Sequence, residues 1–461
     1  MPALLVCISA VLVTGCGSGG APPSGGGSGP TPGGSTQVTL LLSGSANGFP
    51  LDFRIALGSL TLVNQSGKTV TVFTNQQTTD AVAHNGHPVP LLTATVPQDT
   101  YTSAQFTDNQ IDLTYLMNSP GSIDVVDNET LGDCCQSTPT VVLASPITIS
   151  GSSMALQVNL NLSKSILPNN NPVIPYRTAA YVELTAFPLT SAGAVNIEDE
   201  YGQVVSTNAA GFSLLTADGA NLDVAANSAT SFTGLSGMSA LAAGMFLETD
   251  GSLQDDGSLQ ASRVQVTDPA TKNMSVGTVV SGYSGGSSFV FVNRQGVGSD
   301  PNLQQHPQGF PYAYNASTHF GISSRYTNLA SLPFTPHFDV TSLGRGQHVW
   351  LSIPSVTTTN PYSVATDITL VPQTLNAQIL SSSTQGAFTV YNVLLPAEDY
   401  VAQAFASGSS ANAVIYLDNA TRVLNGVSLA TGTMARFTGL LFNDGGTLRL
   451  DCDEVDLGVA P

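Results

Sequence analysis

Charged residues are scarce in this chain: Lys, Arg, Asp and Glu make up only 9% of its 461 residues. Cations are the scarcest, because 12 Lys and Arg stand against 31 Asp and Glu and give a formal net charge of −19. An acidic chain repels phosphate backbones and offers no basic patch to anionic lipid headgroups. The composition therefore argues against a nucleic-acid partner and against electrostatic attachment to a membrane.

The N-terminus lacks an apolar run long enough to cross a bilayer. Residues 4–13 are mostly apolar, but a transmembrane helix needs about 20 such residues. The run leads into Val13-Thr14-Gly15-Cys16, where small residues precede a single cysteine. This pattern is typical of a bacterial lipoprotein signal peptide, predicted as residues 1–15, with Cys16 as the lipidated residue. No Lys or Arg precedes the run, so either the amino terminus alone supplies the charge or the natural start lies upstream.

The segment after the predicted signal, residues 16–36, is a linker dominated by Gly, Ser and Pro. It cannot bury apolar surface, so we expect a flexible tether between the lipid and the folded part. Gly17 stands where an Asp would favour retention in the inner membrane of some bacteria. We therefore expect a lipid-anchored protein of the cell envelope, in the outer membrane rather than the inner one.

Cysteine is scarce too, at five residues. With Cys7 in the signal and Cys16 lipidated, Cys134, Cys135 and Cys452 remain, and three cysteines form at most one disulfide within one chain. A strained bond between the adjacent Cys134 and Cys135, or a bond from either to Cys452, stays open. No CxxC spacing supports a metal site here.

From Gln37 onward, short apolar runs alternate with polar residues, as in Ser59-Leu60-Thr61-Leu62-Val63, and turn residues such as Asn64-Gln65-Ser66-Gly67 separate them. Alternation of period two bounded by Gly, Asn and Ser indicates half-buried strands. No long segment has a helical period. The chain is therefore predicted to be all-β, with a β-sandwich over residues 37–190.

After residue 190, three motifs recur three times in the same order. A leucine stands three residues before a turn glycine, a Thr-containing element precedes that leucine, and an apolar strand closes each unit. This repetition predicts three tandem small β-barrel-like modules, at residues 191–271, 272–373 and 374–461. The leucine motifs are Leu241-Ala-Ala-Gly244, Leu343-Gly-Arg-Gly346 and Leu429-Ala-Thr-Gly432, and the threonine elements are Ala229-Thr230-Ser231-Phe232, Ser317-Thr318-His319-Phe320 and Ala420-Thr421-Arg422-Val423.

Two family resemblances accompany these patterns. Leu60-Thr61-Leu62, the segment from Thr95 to Thr102 and Asn161-Leu162-Ser163 resemble the uncharacterised bacterial family named domain of unknown function 4382, although Gln98-Asp99 replaces the Ala-Gly of that family's turn. The later modules are similar to domain of unknown function 5666, most closely at Ala229-Thr230-Ser231-Phe232 and residues 256–261. The resemblance implies a β fold and export, and it implies no activity.

One motif suggests hydrolysis. Gly282-Tyr283-Ser284-Gly285-Gly286 matches G-x-S-x-G, which marks a nucleophile only between a strand and a helix. Here apolar strand patterns lie on both sides, so a hairpin turn is the better interpretation. We predict that the protein is not an enzyme and needs no cofactor.

The middle module carries an insertion, roughly residues 293–316, together with four of the six histidines and many aromatic residues. Long loops on a rigid scaffold often carry function. Imidazoles and aromatic rings together favour a sugar or small-ligand site, whereas exposed strand positions pointing in different directions are the simpler interpretation. The candidate ligand-binding residues are Tyr312, Tyr314, His319, His337 and Trp350.

Two further patterns carry little chemical signal. His84-Asn85-Gly86-His87 has the H-x-x-H spacing, but Asn-Gly-His-Pro forbids a helix and predicts a turn. The acidic runs Glu198-Asp199-Glu200 and Asp451-Cys452-Asp453-Glu454 are expected to be solvated faces. No metal site is predicted.

Together these features predict an exported, lipid-anchored protein of the cell envelope with a structural, adhesive or interaction-scaffold role. Its partners are the membrane, through the lipid, and a glycan or an envelope protein. The alternative is a periplasmic or surface lipoprotein that binds glycans or small ligands through the middle module.

Overall fold

The computed structural model describes residues 33–74, 77–119, 122–130, 139–168, 176–189, 195–267, 271–282, 287–298, 309–355, 362–406 and 409–459. The predicted signal peptide, Cys16, most of the linker, Cys134, Cys135, Ser284 and His306 lie outside these ranges. Within them the chain is all-β, which confirms the predicted fold class: a sandwich followed by tandem barrel-like modules. No helix in the described ranges has both the length and the hydropathy needed to cross a membrane.

The N-terminal unit packs two sheets face to face around one apolar core. The first sheet has the order β5-β1-β10-β13-β8, built from β1 (Ser35–Ser45), β5 (Val89–Pro97), β8 (Thr140–Leu143), β10 (Ser153–Asn161) and β13 (Tyr181–Pro188). The second is built from β2 (Asp52–Asn64), β3 (Thr69–Phe73), β4 (Gln77–Asp80), β6 (Asp99–Ser119), β7 (Ser122–Thr130) and β9 (Ile147–Ile149). A short helix α1 (Leu162–Ser165) and the ribbon β11 (Ile166–Pro168) and β12 (Tyr176–Thr178) complete it.

Strand β1 shows why burial in the sandwich exceeds what alternation predicts. Val38, Leu40 and Leu42 face the sandwich core, as period two requires. Leu41 points the other way but is equally buried, because it packs with Leu189 and Ile197 in the core of the next unit. The first sheet is therefore covered on both faces, and the sandwich and the first barrel share a wall.

Three barrel modules follow, and the first closes on itself by a parallel pairing. Module 1 has the order β16-β15-β14-β18-β19, and β16 pairs back with β19. Strand β17 continues along β19, also in parallel. The strands are β14 (Asn196–Thr207), β15 (Gly211–Thr216), β16 (Asn221–Ala225), β17 (Ser231–Thr233), β18 (Phe246–Leu253) and β19 (Leu259–Val266), with a 3-10 turn at Met238–Ala240.

Modules 2 and 3 repeat this topology with small changes. In module 2 the last strand is split in two, and its halves pair in parallel with β22 and β23. In module 3 one long strand, β29, takes the position that β16 and β17 share in module 1. The module 3 barrel is closed, with the strand order β27-β28-β29-β31-β30. Module 2 comprises β20 (Asn273–Gly282), β21 (Ser288–Gly298), β22 (Phe310–Ala313), β23 (His319–Ile322), β24 (His348–Ile353), β25 (Ser363–Val364) and β26 (Asp367–Leu370), with a 3-10 turn at Leu329–Ser331. Module 3 comprises β27 (Gln373–Gln385), β28 (Phe388–Leu395), helix α2 (Tyr400–Ala406), β29 (Ala411–Val423), β30 (Met434–Asp444) and β31 (Thr447–Leu457).

The recurring leucine–glycine motif makes the same backbone bond in each barrel. Its glycine has a positive φ of 89° at Gly244, 82° at Gly346 and 90° at Gly432, a conformation that glycine adopts without a Cβ penalty. Each glycine N–H donates to a carbonyl at the bulge of the module's first strand. The motif therefore ties the first strand of each module to the turn that enters β18, β24 or β30.

The recurring threonine ties each module's parallel pair together. Its hydroxyl donates to a carbonyl of the closing strand at 2.8 Å in all three copies. It also accepts the N–H of the residue three positions earlier, at 3.0 Å in each copy. One hydroxyl thus fixes a turn and a strand crossing, which explains why the motif recurs. The residues are Thr230, Thr318 and Thr421.

Replacement of Thr230 tests the role of this hydroxyl. Thr230→Val keeps the shape but leaves the Asn227 N–H and the Ala261 carbonyl without this partner, so we expect a loss of about 1–2 kcal/mol of unfolding free energy. Thr230→Ser retains the hydroxyl and should lose clearly less. Urea denaturation measures both, and equal midpoints for the two variants would contradict the proposed role.

Candidate functional site

The sandwich and the three barrel modules meet at a cluster of polar and charged side chains, which we name the junction. A turn of the sandwich enters this cluster. Residues 81–87 form that turn, as Asn-Gly-His-Pro predicted, with Gly86 at a φ of 88°. The turn is not merely a surface feature, because both of its imidazoles are held inside. His84 Nε2 lies 2.9 Å from Asp218 Oδ2 of module 1, and His87 Nε2 lies 4.0 Å from Glu454 Oε1 of module 3.

A bulge in β14 supplies three consecutive carboxylates to the junction. The pairing of β14 with β18 shifts between Ile197 and Glu200, and Asp199 adopts a φ of 55°. Because of this bulge, Glu198, Asp199 and Glu200 face three different surroundings. The prediction that this acidic run is a solvated face is wrong: Glu200 is only 1% exposed.

Two arginines join the modules across this bulge. Arg325 of module 2, 15% exposed, places Nη2 2.6 Å from Glu198 and Nη1 3.3 Å from Asp199, and it also contacts Asp453 of module 3. Arg422 of module 3 contacts Glu198 and lies 2.7 Å from Glu454. The second acidic run, predicted to be solvated, therefore also reaches the junction. Every ion pair in this set crosses between modules except the one between Arg422 and Glu454.

A third arginine, Arg263, supports the bulge through acidic residues of module 1. Arg263 Nε lies 2.7 Å from Asp250 Oδ2, and its Nη2 contacts Glu248. Asp250 Oδ1 in turn accepts the backbone N–H of Asp199 at 3.0 Å. The left-handed conformation of Asp199 is thus supported by a side chain that is itself ion-paired.

The ionisation of the buried acids follows from their partners. Burial opposes ionisation of Asp218, but the charge of His84 and hydrogen bonds from His84 and Thr79 outweigh it and lower its pKa. Burial likewise opposes charge on His84, yet Asp218 raises its pKa. Glu200 has no hydrogen-bond partner among the described residues, so burial, helped by the charge of Asp218, raises its pKa to about 8. His84 and Asp218 therefore form an ion pair next to a neutral carboxyl group.

The junction encloses a small cavity of about 60 Å³. Its wall includes His84, His87, Glu198, Arg294 and His348, so all of the first three units contribute, and Tyr400 adds module 3. Small-molecule pockets commonly measure about 300–1,000 Å³. This cavity therefore suits a few water molecules or an ion rather than a metabolite or a sugar.

One imidazole in the cavity wall has a defined tautomer. His348 Nδ1 lies 3.0 Å from the carbonyl oxygen of Pro372, and since that oxygen only accepts, Nδ1 carries the proton. Burial, together with the charge of Arg294, lowers the pKa of His348 to about 3. Nε2 of His348 and Nη2 of Arg294 have no hydrogen-bond partner among the described residues.

The structure does not gather the five candidate ligand residues of the middle module into one open site. Tyr312 is 2% exposed and packs among Phe289, Phe291 and Phe310 in the barrel core. Trp350 is 3% exposed and packs against Tyr201 of module 1. Tyr314 is half-buried, stacked on Phe289; His319 is exposed beside Asp367, and His337 is exposed. The aromatic residues of this module thus lie largely in its core and in its contact with module 1.

The remaining sequence candidates fall in ordinary surroundings or outside the described ranges. Cys452 is a buried free thiol whose Sγ lies 3.2 Å from the Glu454 carbonyl oxygen, while Cys134 and Cys135 are not described. Strands β20 and β21 flank the G-x-S-x-G motif and pair antiparallel, with Gly282 opposite Phe289. The motif is therefore framed by two strands rather than a strand and a helix.

The residues that build the junction were missed because each looks ordinary by itself. The scarcity of cations is the sequence feature that would have pointed to the junction residues. Only 12 Lys and Arg serve the chain, and an arginine is costly to bury without a carboxylate. In β19 Arg263 shares the period-two phase of the apolar Leu259 and Ala261, so it indicates a buried acidic partner.

Comparison with known proteins adds one match. The family described as "Domain of unknown function (DUF5666)" matches residues 201–265. This range runs from Tyr201 in β14 to Gln265 in β19 and so covers most of the module 1 barrel. The search of curated proteins found no match to the chain.

Loss of Arg325 should destabilise the whole assembly. Arg325→Gln leaves Glu198, Asp199 and Asp453 without their shared cation, and removal of one partner of a buried ion pair costs about 3–5 kcal/mol. Arg177→Gln, at an exposed position, is the control and should change stability by less than about 0.5 kcal/mol. Denaturant titration compares them, and similar midpoints for the two variants would rule out a structural role for the junction.

A second prediction concerns pH and Asp399, which precedes α2. Its Oδ1 accepts the N–H of Val401 at 2.8 Å, and burial raises its pKa to about 7. The folded state then holds a proton that the unfolded state releases at lower pH, so stability falls as pH rises from about 4 to 7, by about 1.4 kcal/mol per unit. Asp399→Asn should match wild type at pH 4 and exceed it at pH 8.

Asp256→Asn is the control for this pH effect. Asp256 is an exposed turn residue whose pKa is lowered by hydrogen bonds from Ser258. Its replacement should bring no gain at pH 8. Thermal denaturation at both pH values decides the matter, and an Asp399→Asn protein no more stable than wild type at pH 8 would refute the burial argument.

Proposed function

We propose that this protein is an exported, lipid-anchored component of the bacterial cell envelope that acts as a structural, adhesive or interaction scaffold and not as an enzyme. The observation that carries the proposal is the junction. Ion pairs and shared cores hold the sandwich and three barrels in fixed positions. A body of this kind displays its loops at fixed spacing, which suits a scaffold.

The anchoring part of the proposal rests on the N-terminal sequence. Small residues before Cys16 and a Gly/Ser/Pro segment to residue 36 fit a lipidated cysteine on a tether, and the first strand begins at Ser35. The likeness of the sandwich sequence to the family named domain of unknown function 4382 also favours export. We place the protein in the outer membrane, because Gly17 follows the cysteine.

The glycan-binding alternative gains no support from the middle module. Protein aromatics bind sugars through an exposed ring face, whereas Tyr312 and Trp350 are buried. The central cavity is also smaller than a sugar site requires. The scaffold role therefore remains the better account of the geometry.

Replacement of Cys16 tests the anchor. Cys16→Ser removes the only thiol to which the lipid would be attached, so the protein should leave the membrane fraction and lose incorporation of labelled palmitate. Cys452→Ser is the matched control, because that thiol is buried in module 3, and it should stay in the membrane fraction. A Cys16→Ser protein that remains membrane-bound would refute lipid anchoring.

Complementation separates a scaffold from a hydrolase. In cells that lack the protein, envelope integrity is measured by detergent sensitivity and adhesion by surface attachment. Wild type and Ser284→Ala should restore the affected property equally, and Cys16→Ser should fail. A folded, membrane-bound Ser284→Ala protein that failed to restore it would instead support catalysis by that serine.

A further inference from the structure

The junction contains a set of metal-ligating side chains that the sequence did not predict. His87, Glu198 and Glu454 each offer one ligand atom, and these atoms lie within 4.8 Å of one another. The imidazole comes from the sandwich and the carboxylates from modules 1 and 3. Their side chains are 19%, 13% and 7% exposed, so water competes little for them.

The cations of the chain do not balance the charge around this set. Arg325 serves Glu198, Asp199 and Asp453, while Arg422 serves Glu198 and Glu454. Four carboxylates therefore share two guanidiniums. Arg263 lies 4.0 Å from Asp199 but also pairs with Glu248 and Asp250, so counting it leaves six carboxylates for three guanidiniums. Each of the four carboxylates has a guanidinium within 4.0 Å, but carboxylates outnumber guanidiniums two to one, and this excess of buried acid favours a further cation.

The cavity supplies a second and independent observation. His87 and Glu198 line the same space of about 60 Å³ as His348. Nε2 of His348 is buried without a hydrogen-bond partner among the described residues, and its lone pair is free because Nδ1 donates to Pro372. An imidazole fixed in this tautomer offers Nε2 as a hydrogen-bond acceptor beside the set. At about 60 Å³ the cavity has room for at least one water molecule.

We propose that His87, Glu198 and Glu454 bind one divalent transition-metal ion, with Zn²⁺ as the best fit. One imidazole and two carboxylates suit zinc, whereas calcium and magnesium prefer oxygen ligands alone. Arg294 also lines the cavity and disfavours a cation directly on His348. His348 therefore accepts a hydrogen bond from a water bound to the ion. The ion joins the sandwich to modules 1 and 3.

Zinc titration of the metal-stripped full-length protein tests this proposal. After removal of metal with a chelator, ZnCl₂ binding is measured by calorimetry and metal content by mass spectrometry. We expect one tightly bound Zn²⁺ per chain and a rise in melting temperature, since a ligand of the folded state stabilises it. CaCl₂ and MgCl₂ should produce neither effect.

Variants locate the ion. His87→Gln and Glu454→Gln should weaken zinc binding tenfold or more and abolish the melting shift. His319→Ala, which removes an exposed imidazole beside Asp367, should change neither. Melting temperatures without metal show whether each variant still folds, and the two ligand variants are scored independently. Absence of zinc binding to wild type, or wild-type affinity in folded His87→Gln, would overturn the proposal.

Discussion

The arrangement of the four units depends on how buried carboxylates are neutralised in a chain with few cations. Burial of a charge costs far more than a neutral contact returns, unless a partner is supplied. Arg325 meets this requirement for carboxylates of two different modules at once. Separation of the modules would break these ion pairs, so the relative positions of the modules are coupled to this sharing.

The repeated barrel is used differently at each place in the chain. The residue at the bulge of the first strand is Val205, Val280 or Leu380 in modules 1, 2 and 3. Val205 and Leu380 are exposed, whereas Val280 packs with Leu51 and Leu116 of the sandwich. The middle barrel is thus the one that docks through this face. The three modules share one barrel topology, and single side chains decide which face is covered.

The sequence predicts local structure well because each motif encodes its own contacts. Thr230 forms its turn and its strand crossing with residues of the same module, so its recurrence revealed the repeat. The environment of Glu200, Tyr312 and Trp350 was not predictable in the same way. Burial of Glu200 and Trp350 depends on docking between units that are distant in sequence, and alternation of polar and apolar residues does not report such docking. Sequence analysis predicts that an acidic run is solvated whenever the arginine that pairs with it lies in another module.

The family match and the junction concern different parts of module 1. The match begins at Tyr201, directly after the acidic bulge of Glu198 to Glu200. The register of the first strands sets Met274 and Ser275 of module 2, and Thr374 and Leu375 of module 3, at the places of Asp199 and Glu200. A barrel of this type therefore forms without the acids. The acids bring together His87, Arg325 and Arg422 from three other units, so the junction is a property of the assembled chain and not of the barrel family.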